Sequence, residues 1–430
     1  MNRYEVWTES LTGSEAQARL AVLYGSRGDV LRRQTARYQA LLARHEQDFG
    51  AEKAPVRLIS APGRTEIGGN HTDHNRGKVL AAAVNLDTLA AVSPRKDMLV
   101  HLHSAGYRPI TVDLKDLEAS RSEFGTTRAL LRGVACRMKQ MGCRIGGFDA
   151  CVTSTVASGS GLSSSAAFEV MVTAIQDKLY NSGDMDFKSR AKVSQYAENV
   201  HFGKPSGLLD QMASAAGGLV TVDFREDDPE VSPLSYDFAA KGYAIVVVGT
   251  GGSHADLTDY YASIPAEMKR VAAFFGQDVL RRVPEAQFTD ALPSLYGKVP
   301  DRAILRALHF YQENARVQAQ VAALREDRLE DFFREIIASG RSSFMYLQNV
   351  YARPTEQSLS LALALAERRL AGRGAWRIHG GGFAGTTLNF VPQEDLAGFI
   401  AQMESIFGEK CCHVLDIRPE GAAEVALPDA

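Results

Sequence analysis

The chain has 430 residues, of which 45% are hydrophobic and 23% charged, and its 48 Lys and Arg residues nearly balance its 51 Asp and Glu residues. This composition is typical of a folded globular protein and excludes the disordered, collagen-like and fibrous classes. The net charge of −3 provides no basic face for a phosphate backbone, so we expect no nucleic-acid partner.

The first residues carry charges of both signs and lack the apolar stretch of a signal peptide. No later stretch reaches the roughly 18 apolar residues that a membrane helix needs. We therefore expect a cytoplasmic protein that does not contact a membrane. Five cysteines, none in a C-x-x-C arrangement, favour reduced thiols over a disulfide framework or a zinc site.

The first 50 residues predict a helical N-terminal extension, because apolar positions over 14–50 recur at helical spacing as two helices and a loop. After Pro55, short apolar runs alternate with Gly, Asn and charged clusters, which indicates the strands and turns of a mixed α/β domain. A strand predicted over 148–156 is followed by a Gly/Ser loop and an amphipathic helix.

The acidic, proline-containing segment 225–242 predicts a surface connection between the two halves of the molecule. We place a domain boundary there, which gives an N-terminal domain over 1–228 and a C-terminal domain over 229–430. The second half is predicted to contain a buried strand, three helical regions and a strand–loop–strand unit: 243–251, then 262–283, 301–349 and 359–367, then 376–391.

Residues 156–170 join a strand to a helix through a loop with two glycines and three consecutive serines. Such a loop can bind phosphate, because glycines allow close backbone approach and the helix N-terminus presents N–H groups. The segment has no G-K-[ST], so it is not a Walker A loop, and no serine has the flanking glycines of a G-x-S-x-G elbow. A flexible linker is disfavoured, since linkers seldom lie between a strand and an amphipathic helix.

Residues 61–85 form a second glycine-rich segment that is crowded with polar side chains. Its carboxylate, amide and imidazole groups could bind the hydroxyls of a sugar. Alternatively, His71, Asp73 and His74 resemble part of the H-x-H-x-D-H run of binuclear metallohydrolases, although Gly69 stands where its first histidine should be. A polar turn that caps a strand is the third interpretation.

Two further segments carry candidate functional groups. Residues 196–218 place Glu198 on a helix and Asp210 near the start of another. The small apolar residues after Asp210 should be buried, so this carboxylate needs a partner such as Arg64. The segment 379–391 has four glycines in seven residues, and it is either a loop that approaches a ligand or a tight turn.

In this order and at these separations, the segments resemble those of the GHMP kinase superfamily. Residues 63–74 resemble the galactokinase signature G-R-V-N-L-I-G-E-H-T-D-Y, and residues 157–166 resemble the phosphate loop P-x-G-x-G-L-S-S-S-A with Ala157 in place of Pro. The resemblance implies an α/β (α+β) GHMP kinase-like two-domain fold with its active site in the interdomain cleft. It also implies an ATP- and Mg²⁺-dependent sugar-1-kinase that phosphorylates a hexose, with galactose the expected sugar and no obligate protein partner.

Residue roles follow from the same resemblance. Asp210 would take the proton of the sugar hydroxyl, and Arg64 would keep Asp210 ionised. Ser165 and Glu198 would hold Mg²⁺. The residues expected to bind the ATP phosphates are Gly159, Ser160, Gly161, Leu162, Ser163, Ser164 and Ser165. The residues expected to contact the sugar are Glu66, Asn70, His71, Thr72, Asp73, Tyr261 and Gly381.

The chain departs from the galactokinase pattern on the expected sugar side. Asn70 stands where the pattern has Glu, and Glu66 stands where it has Asn. Either Glu66 reaches the sugar from a shifted loop, or the pocket prefers a related sugar such as a galactosamine derivative, galacturonate or arabinose. His74 replaces Tyr, and Ile264-Pro265 replaces an Arg pair.

Two alternatives from other classes stay open. A catalytically silent sugar sensor is disfavoured because Ser165, Glu198 and Asp210 are retained. A binuclear metallohydrolase would use His71, Asp73 and His74.

Overall fold

The computed structural model describes residues 3–50, 55–156, 161–251, 257–383 and 385–428. Three helices cover the N-terminal extension: α1 (Arg3–Ser10), α2 (Ser14–Tyr24) and α3 (Gly28–Phe49). The two helices predicted over 14–50 are confirmed. The buried side chains of the three helices, with Trp7 and Leu42 among them, pack against Leu58 and Leu89 of the neighbouring sheet. The extension is therefore an integral part of that sheet's packing.

Twelve strands are present over the described ranges, and they form an eight-stranded and a four-stranded sheet. They are β1 (Arg57–Gly68), β2 (Lys78–Pro94), β3 (Leu99–Ser104), β4 (Ile110–Asp113), β5 (Phe148–Ser154), β6 (Leu219–Asp223), β7 (Glu230–Leu234), β8 (Tyr243–Gly249), β9 (Ala375–His379), β10 (Thr386–Pro392), β11 (Cys412–Leu415) and β12 (Ala423–Val425).

The first sheet has the order β12-β1-β2-β5-β3-β4, and β6 and β7 extend it beside β2. The 17-residue strand β2 pairs with β6 through its first half and with β5 through its second. All pairs are antiparallel except β3 with β5. The pairing of β1 with β2 shifts register between Pro62 and Arg64, and such a bulge bends the strand and changes the direction of its side chains.

Four helices pack on the face of the first sheet opposite the N-terminal extension: α4 (Thr127–Gln140), α5 (Ser164–Tyr180), α6 (Phe187–Tyr196) and α7 (Leu209–Ala216). Val134, Val170 and Met212 of these helices share a core with Ile59 and Phe148 of the strands. A π-helical turn, Ala197–Phe202, follows α6. The starts of α5 and α7 both lie next to β1.

The second sheet has the order β11-β8-β10-β9. Its helices are α8 (Thr258–Phe274), α9 (Glu285–Asp290), α10 (Leu292–Leu295), α11 (Asp301–Arg325), α12 (Leu329–Ser342), α13 (Ser358–Leu370) and α14 (Leu396–Phe407). Val247, Phe332 and Phe390 form its core, which also takes in Ile67 and Leu80 of the first sheet. The ends of β1 and β2 therefore pack directly on the second sheet.

The mixed α/β class and the predicted strands and helices are confirmed, including a helix over 359–367. The predicted connection 225–242 contains β7, which continues the first sheet as far as Leu234. The division into 1–228 and 229–430 stays a prediction. The five cysteines are all free thiols. Among the helices that the structure describes, none has the length and hydropathy to cross a membrane.

Candidate active site

The site is centred on an ion pair between Arg64 and Asp210, which were predicted to be partners. Arg64 lies at the bulge of β1, and Asp210 lies in the first turn of α7. The Nε atom of Arg64 donates to Oδ1 of Asp210 over 2.6 Å, and a terminal nitrogen of Arg64 donates to the backbone oxygen of Gly161 over 2.5 Å. The hydroxyl of Ser163 donates to the other oxygen of Asp210.

This arrangement keeps the Asp210 carboxyl ionised while leaving it accessible. Burial acts to raise its pKa, but the charge and hydrogen bond of Arg64, together with the Ser163 bond, outweigh burial and lower the pKa below its ordinary value. The Asp210 side chain is 34% exposed and that of Arg64 only 7%. The carboxylate can therefore be reached from solvent.

The predicted phosphate loop is described from Gly161 onward, and Gly159 and Ser160 lie outside the described residues. Gly161 has φ +73°, and a Cβ there would lie 2.3 Å from the Thr386 hydroxyl, so only glycine fits. The side chain of Leu162 is buried in the core, while its backbone oxygen accepts from the Arg64 N–H over 3.1 Å. Ser164 begins α5, so the loop delivers the chain to a helix N-terminus.

A second cluster of polar groups surrounds Glu198 on the π-helical turn. Ser165 donates to Oε1 of Glu198 over 3.2 Å, and Lys204 donates to the same oxygen over 2.8 Å. The side-chain amide of Gln211 donates to Oε2 of Glu198 over 2.7 Å and to Glu169 over 3.1 Å. The hydroxyl and carboxylate oxygens of Ser165 and Glu198 are donors that suit Mg²⁺.

The cluster contains two buried carboxyl groups, those of Glu169 and Glu198, beside the ammonium group of Lys204. Burial raises the pKa of Glu169 well above its ordinary value, and the nearby charge of Glu198 raises it further. The Oε1 atoms of Glu169 and Gln211 are buried without a hydrogen-bond partner among the described residues. For Lys204, burial acts to lower the pKa, but the charge of Glu198 raises it overall, so the ammonium stays protonated.

The loop after β1 contributes His71 and Asp73, which were predicted to lie on the sugar side. The Nε2–H of His71 donates to the backbone oxygen of Gly381 over 3.0 Å. Burial, with the charge of His74 adding to it, lowers the pKa of His71 to about 4, so its ring is neutral. One oxygen of Asp73 accepts from the His74 N–H over 3.0 Å, and the other lies against the backbone of Gly207.

Tyr261 and Gly381 meet on the opposite side of the same region. The Tyr261 hydroxyl donates to the backbone oxygen of Gly382 over 3.0 Å, and its ring leaves no space for a Cβ at Gly381. The glycines after β9 thus form a loop that contacts side chains of the loop after β1 and of α8. The approach of this loop to a ligand stays a prediction.

Glu66, Asn70 and Thr72 have side chains that bind the protein itself. The Asn70 amide nitrogen donates to Glu66 over 2.9 Å and to the Gly380 oxygen over 2.7 Å, and the Asn70 amide oxygen accepts from Asn349 over 2.9 Å. Glu66 is paired with buried Arg377 at 2.6 Å. The Thr72 hydroxyl bonds to backbone oxygens of its own turn. As placed, these three side chains hold the loops and do not face solvent.

Four functional neighbours were missed from the sequence. Lys204 and Gln211 lie within the segment 196–218, but neither was assigned a role from the sequence beside Glu198 and Asp210. His379 accepts from the Glu66 N–H through Nε2 over 3.3 Å, and burial keeps its pKa well below the ordinary value. Arg377 is fully buried. Glu66 lies in the buried strand β1, and a buried carboxylate needs a cationic partner. This requirement was the available signal for a buried cation such as Arg377.

The metallohydrolase alternative receives no geometric support. Among the described residues, the one group of three metal-binding side chains with ligand atoms within 4.8 Å of one another is Asp48, His103 and Cys151, on the far side of the first sheet. His71 and His74 have stacked rings with centroids 6.2 Å apart.

Comparison with known proteins gives consistent matches along the chain. Residues 43–94 match the galactokinase galactose-binding signature, and residues 129–218 match the GHMP kinase N-terminal domain. Galactokinase from Streptomyces coelicolor is 32% identical over 88% of this chain and 96% of its own. Human galactokinase is 32% identical over 89% of this chain and 95% of its own. Lactococcus lactis galactokinase, solved with galactose, superimposes with a TM-score of 0.77 at 25% identity, covering 89% of this chain and 98% of that one.

Proposed function

This chain belongs to the galactokinase family of GHMP kinases, and from that membership we propose that it transfers the γ-phosphoryl group of ATP to the anomeric hydroxyl of galactose. The observation that carries the proposal is the Asp210 carboxylate. Both of its oxygens are held by Arg64 and Ser163, it is one-third exposed, and it adjoins the loop that leads into α5.

Asp210 orients the sugar hydroxyl and accepts its proton. A carboxylate with a lowered pKa is a weak base toward a free hydroxyl, so the proton moves as the new O–P bond forms and the hydroxyl becomes acidic. Arg64 keeps the carboxylate ionised and places a guanidinium where negative charge develops. Phosphoryl transfer depends mostly on positioning and charge stabilisation, which these two residues supply.

The phosphate chain of ATP binds along Gly159, Ser160, Gly161, Leu162, Ser163, Ser164 and Ser165. Support comes from the described part of this loop, in which Gly161 takes a left-handed conformation and the N-terminus of α5 follows at once. Leu162 contributes through its backbone, since its side chain belongs to the core.

Ser165 and Glu198 hold Mg²⁺. Their 3.2 Å contact and their all-oxygen donor set fit this ion. When bound, Mg²⁺ neutralises charge on the phosphate oxygens and orients them. Gln211 fixes the second oxygen of Glu198, which leaves the first oxygen directed toward Ser165.

The sugar binds between the loop after β1 and the glycine loop after β9. His71, Asp73, Tyr261 and Gly381 contact it directly, since these groups border the accessible side of the loops. Glu66, Asn70 and Thr72 act indirectly, because their side chains tie the same loops together.

Glu66 and Asn70 stand where the galactokinase pattern has Asn and Glu. This exchange favours a related sugar as a second candidate substrate. Sugar-dependent ADP formation from ATP, measured over galactose, galactosamine, N-acetylgalactosamine, galacturonate and arabinose, tests both candidates. We expect the highest kcat/KM with galactose. A higher value for another sugar of the panel would assign the chain to that sugar, and no turnover with any of them would contradict the proposed function.

A further inference from the structure

Lys204 contacts Glu198, the proposed metal ligand, and its charge acts on Asp210, the proposed base. It has no role in the proposed function. The π-helical turn ends at Gly203, whose φ of 79° is left-handed, and the Lys204 N–H donates to the backbone oxygen of Glu198 over 3.1 Å. A Cβ at Gly203 would lie 2.3 Å from the ring of Phe124, so this turn requires glycine. The turn directs Lys204 back over Glu198.

The ammonium group of Lys204 is the exposed half of an otherwise enclosed pair. Its Nζ donates to Oε1 of Glu198 over 2.8 Å, and the Lys204 side chain is 58% exposed while that of Glu198 is 2% exposed. The charge of Lys204 also acts on the Asp210 carboxyl and on the Tyr261 hydroxyl. The ammonium group is therefore close enough to the proposed base and to Tyr261 for its charge to act on both.

The oxygen that Lys204 occupies is the one that a metal would need. Oε1 of Glu198 is also the atom that Ser165 contacts, whereas Oε2 is already bonded to Gln211. Two cations on one carboxylate oxygen repel each other strongly in a partly buried site. Metal binding at Glu198 must therefore displace the ammonium group.

The displaced ammonium group needs a new anionic partner. Among the described residues, the nearby Asp210 carboxylate is already paired with Arg64 at 2.6 Å. The phosphate chain of a bound nucleotide supplies such an anion. A lysine can follow such a shift, because its charge sits on a flexible four-carbon stem with three donors.

We propose that Lys204 is a catalytic cation of the phosphoryl-transfer site: it neutralises Glu198 before the nucleotide binds, and it contacts the transferred phosphoryl group once Mg²⁺ has replaced it there. This inference rests on the proposed function. It predicts effects of opposite sign in one variant, since removing the ammonium group should help metal binding and harm nucleotide binding. A purely structural ion pair would not contact the nucleotide, so its removal would leave nucleotide binding unchanged.

The first measurement is metal binding to the nucleotide-free protein. Mn²⁺, followed by its electron paramagnetic resonance signal, should bind Lys204→Met about tenfold more tightly than the native chain, which matches the loss of one charge-assisted hydrogen bond that competes with the metal. The matched control is Lys192→Met, because Lys192 forms a similar ion pair with Asp228 at 3.1 Å on the surface of α6. Equal or weaker Mn²⁺ binding by Lys204→Met would overturn the proposal.

The second measurement is calorimetric binding of ATP at a saturating concentration of Mg²⁺, where the ion occupies Glu198 and the ammonium group is free to contact the phosphates. Lys204→Met should bind ATP about 10- to 100-fold more weakly than the native chain, and Lys204→Arg should recover part of that affinity because it keeps the charge. Thermal melting of each variant verifies that it is folded. Unchanged ATP affinity in folded Lys204→Met would overturn the proposal.

Kinetics provide the third measurement. Lys204→Met should lower kcat and leave the KM for the sugar unchanged, whereas a rise in the sugar KM alone would assign Lys204 to the sugar and contradict the proposal. The two binding experiments need no acceptor sugar. A native chain that binds Mg·ATP and transfers phosphate to no sugar of the panel would therefore defeat the proposed function, while the binding results would still decide the role of Lys204.

Discussion

Arg64 and Asp210 form a 2.6 Å ion pair in which the guanidinium is almost fully enclosed and the carboxylate is open to solvent. The pair joins β1 to α7 across 146 positions of the chain, and Ser163 holds the remaining carboxylate oxygen. A reactive carboxylate is thus fixed in direction before any substrate arrives. This degree of preorganisation is what phosphoryl transfer requires of a protein.

Asp210→Ala should lower kcat by about 10²- to 10⁴-fold, the usual contribution of a positioned acid or base. The affinity for Mg·ATP should stay within about threefold of the native value, because Ser165 and Glu198 are untouched. Steady-state ADP release and calorimetry measure the two quantities, and circular dichroism verifies the fold. Full turnover in this variant would show that Asp210 is not the base.

The contributions of Glu66 and Asn70 to the free energy of unfolding should be coupled. Asn70→Glu alone places a second carboxylate beside Glu66 in a buried site, and Glu66→Asn alone leaves buried Arg377 without its partner, so each should cost about 3–5 kcal/mol of unfolding free energy. The double exchange restores one carboxylate and one amide. We expect it to be less destabilised than the sum of the two single changes by about 0.5–3 kcal/mol.

Chemical denaturation of the native chain, both single variants and the double variant completes this cycle. Additive costs would mean that the two side chains do not interact, contrary to their 2.9 Å hydrogen bond. The kcat/KM of the double variant for galactose then reports on sugar selectivity, because this variant is less destabilised than the single changes would imply.

Gly207 should be required for sugar binding although it has no side chain. A Cβ at this position would lie 1.7 Å from Oδ2 of Asp73, so Gly207→Ala must push that carboxylate away. We expect the KM for the sugar to rise about tenfold or more, equivalent to the loss of one hydrogen bond to a charged group, with little change in the KM for ATP. Gly28→Ala is the control, since its Cβ meets only the end of the Arg32 side chain at 3.5 Å. An unchanged sugar KM in Gly207→Ala would remove Asp73 from the sugar site.

Glu169 should make the protein less stable as the pH rises. Its folded-state pKa lies well above the unfolded value, so folding takes up a proton and the stabilisation is greatest below the unfolded pKa. The unfolding free energy then falls as the pH approaches the folded pKa. Glu169→Gln lacks this proton uptake, and its Tm relative to the native chain should therefore increase between pH 5 and pH 8.

The control for Glu169→Gln is Glu15→Gln, the same substitution on the exposed surface of α2. A Glu169→Gln variant whose Tm difference from the native chain does not change with pH would indicate an ionised carboxylate in the native fold.

Much of this structure could be predicted from the local pattern of apolar and charged residues in the sequence. Helical periodicity located α3 and α5, and the burial expected around Asp210 correctly required Arg64 as its partner. Ser165 and Glu198, paired through family resemblance, lie in contact. These successes share a cause, since each depends on spacing within a segment or on a charge that burial forces to be paired.

The direction of side chains on the sugar side was not predictable in the same way. The Asn70 amide is satisfied by Gly380 and Asn349, which lie 310 and 279 positions away, so its inward direction depends on the second sheet. Lys204 was overlooked for a related reason. Only the left-handed turn at Gly203 brings it onto Glu198, and a lysine in a loop is ordinarily a solvated charge.

The pairing of β12 with β1 has a consequence for synthesis on the ribosome. Arg57 of β1 bonds to Glu424 of β12 across 367 positions, so the edge strand that borders β1 is translated long after β1 itself. β1 carries Arg64 and leads into the sugar-side loop. Nascent chains should therefore expose the edge of β1 throughout this interval, and a chaperone that shields this edge would protect it from strand-to-strand aggregation.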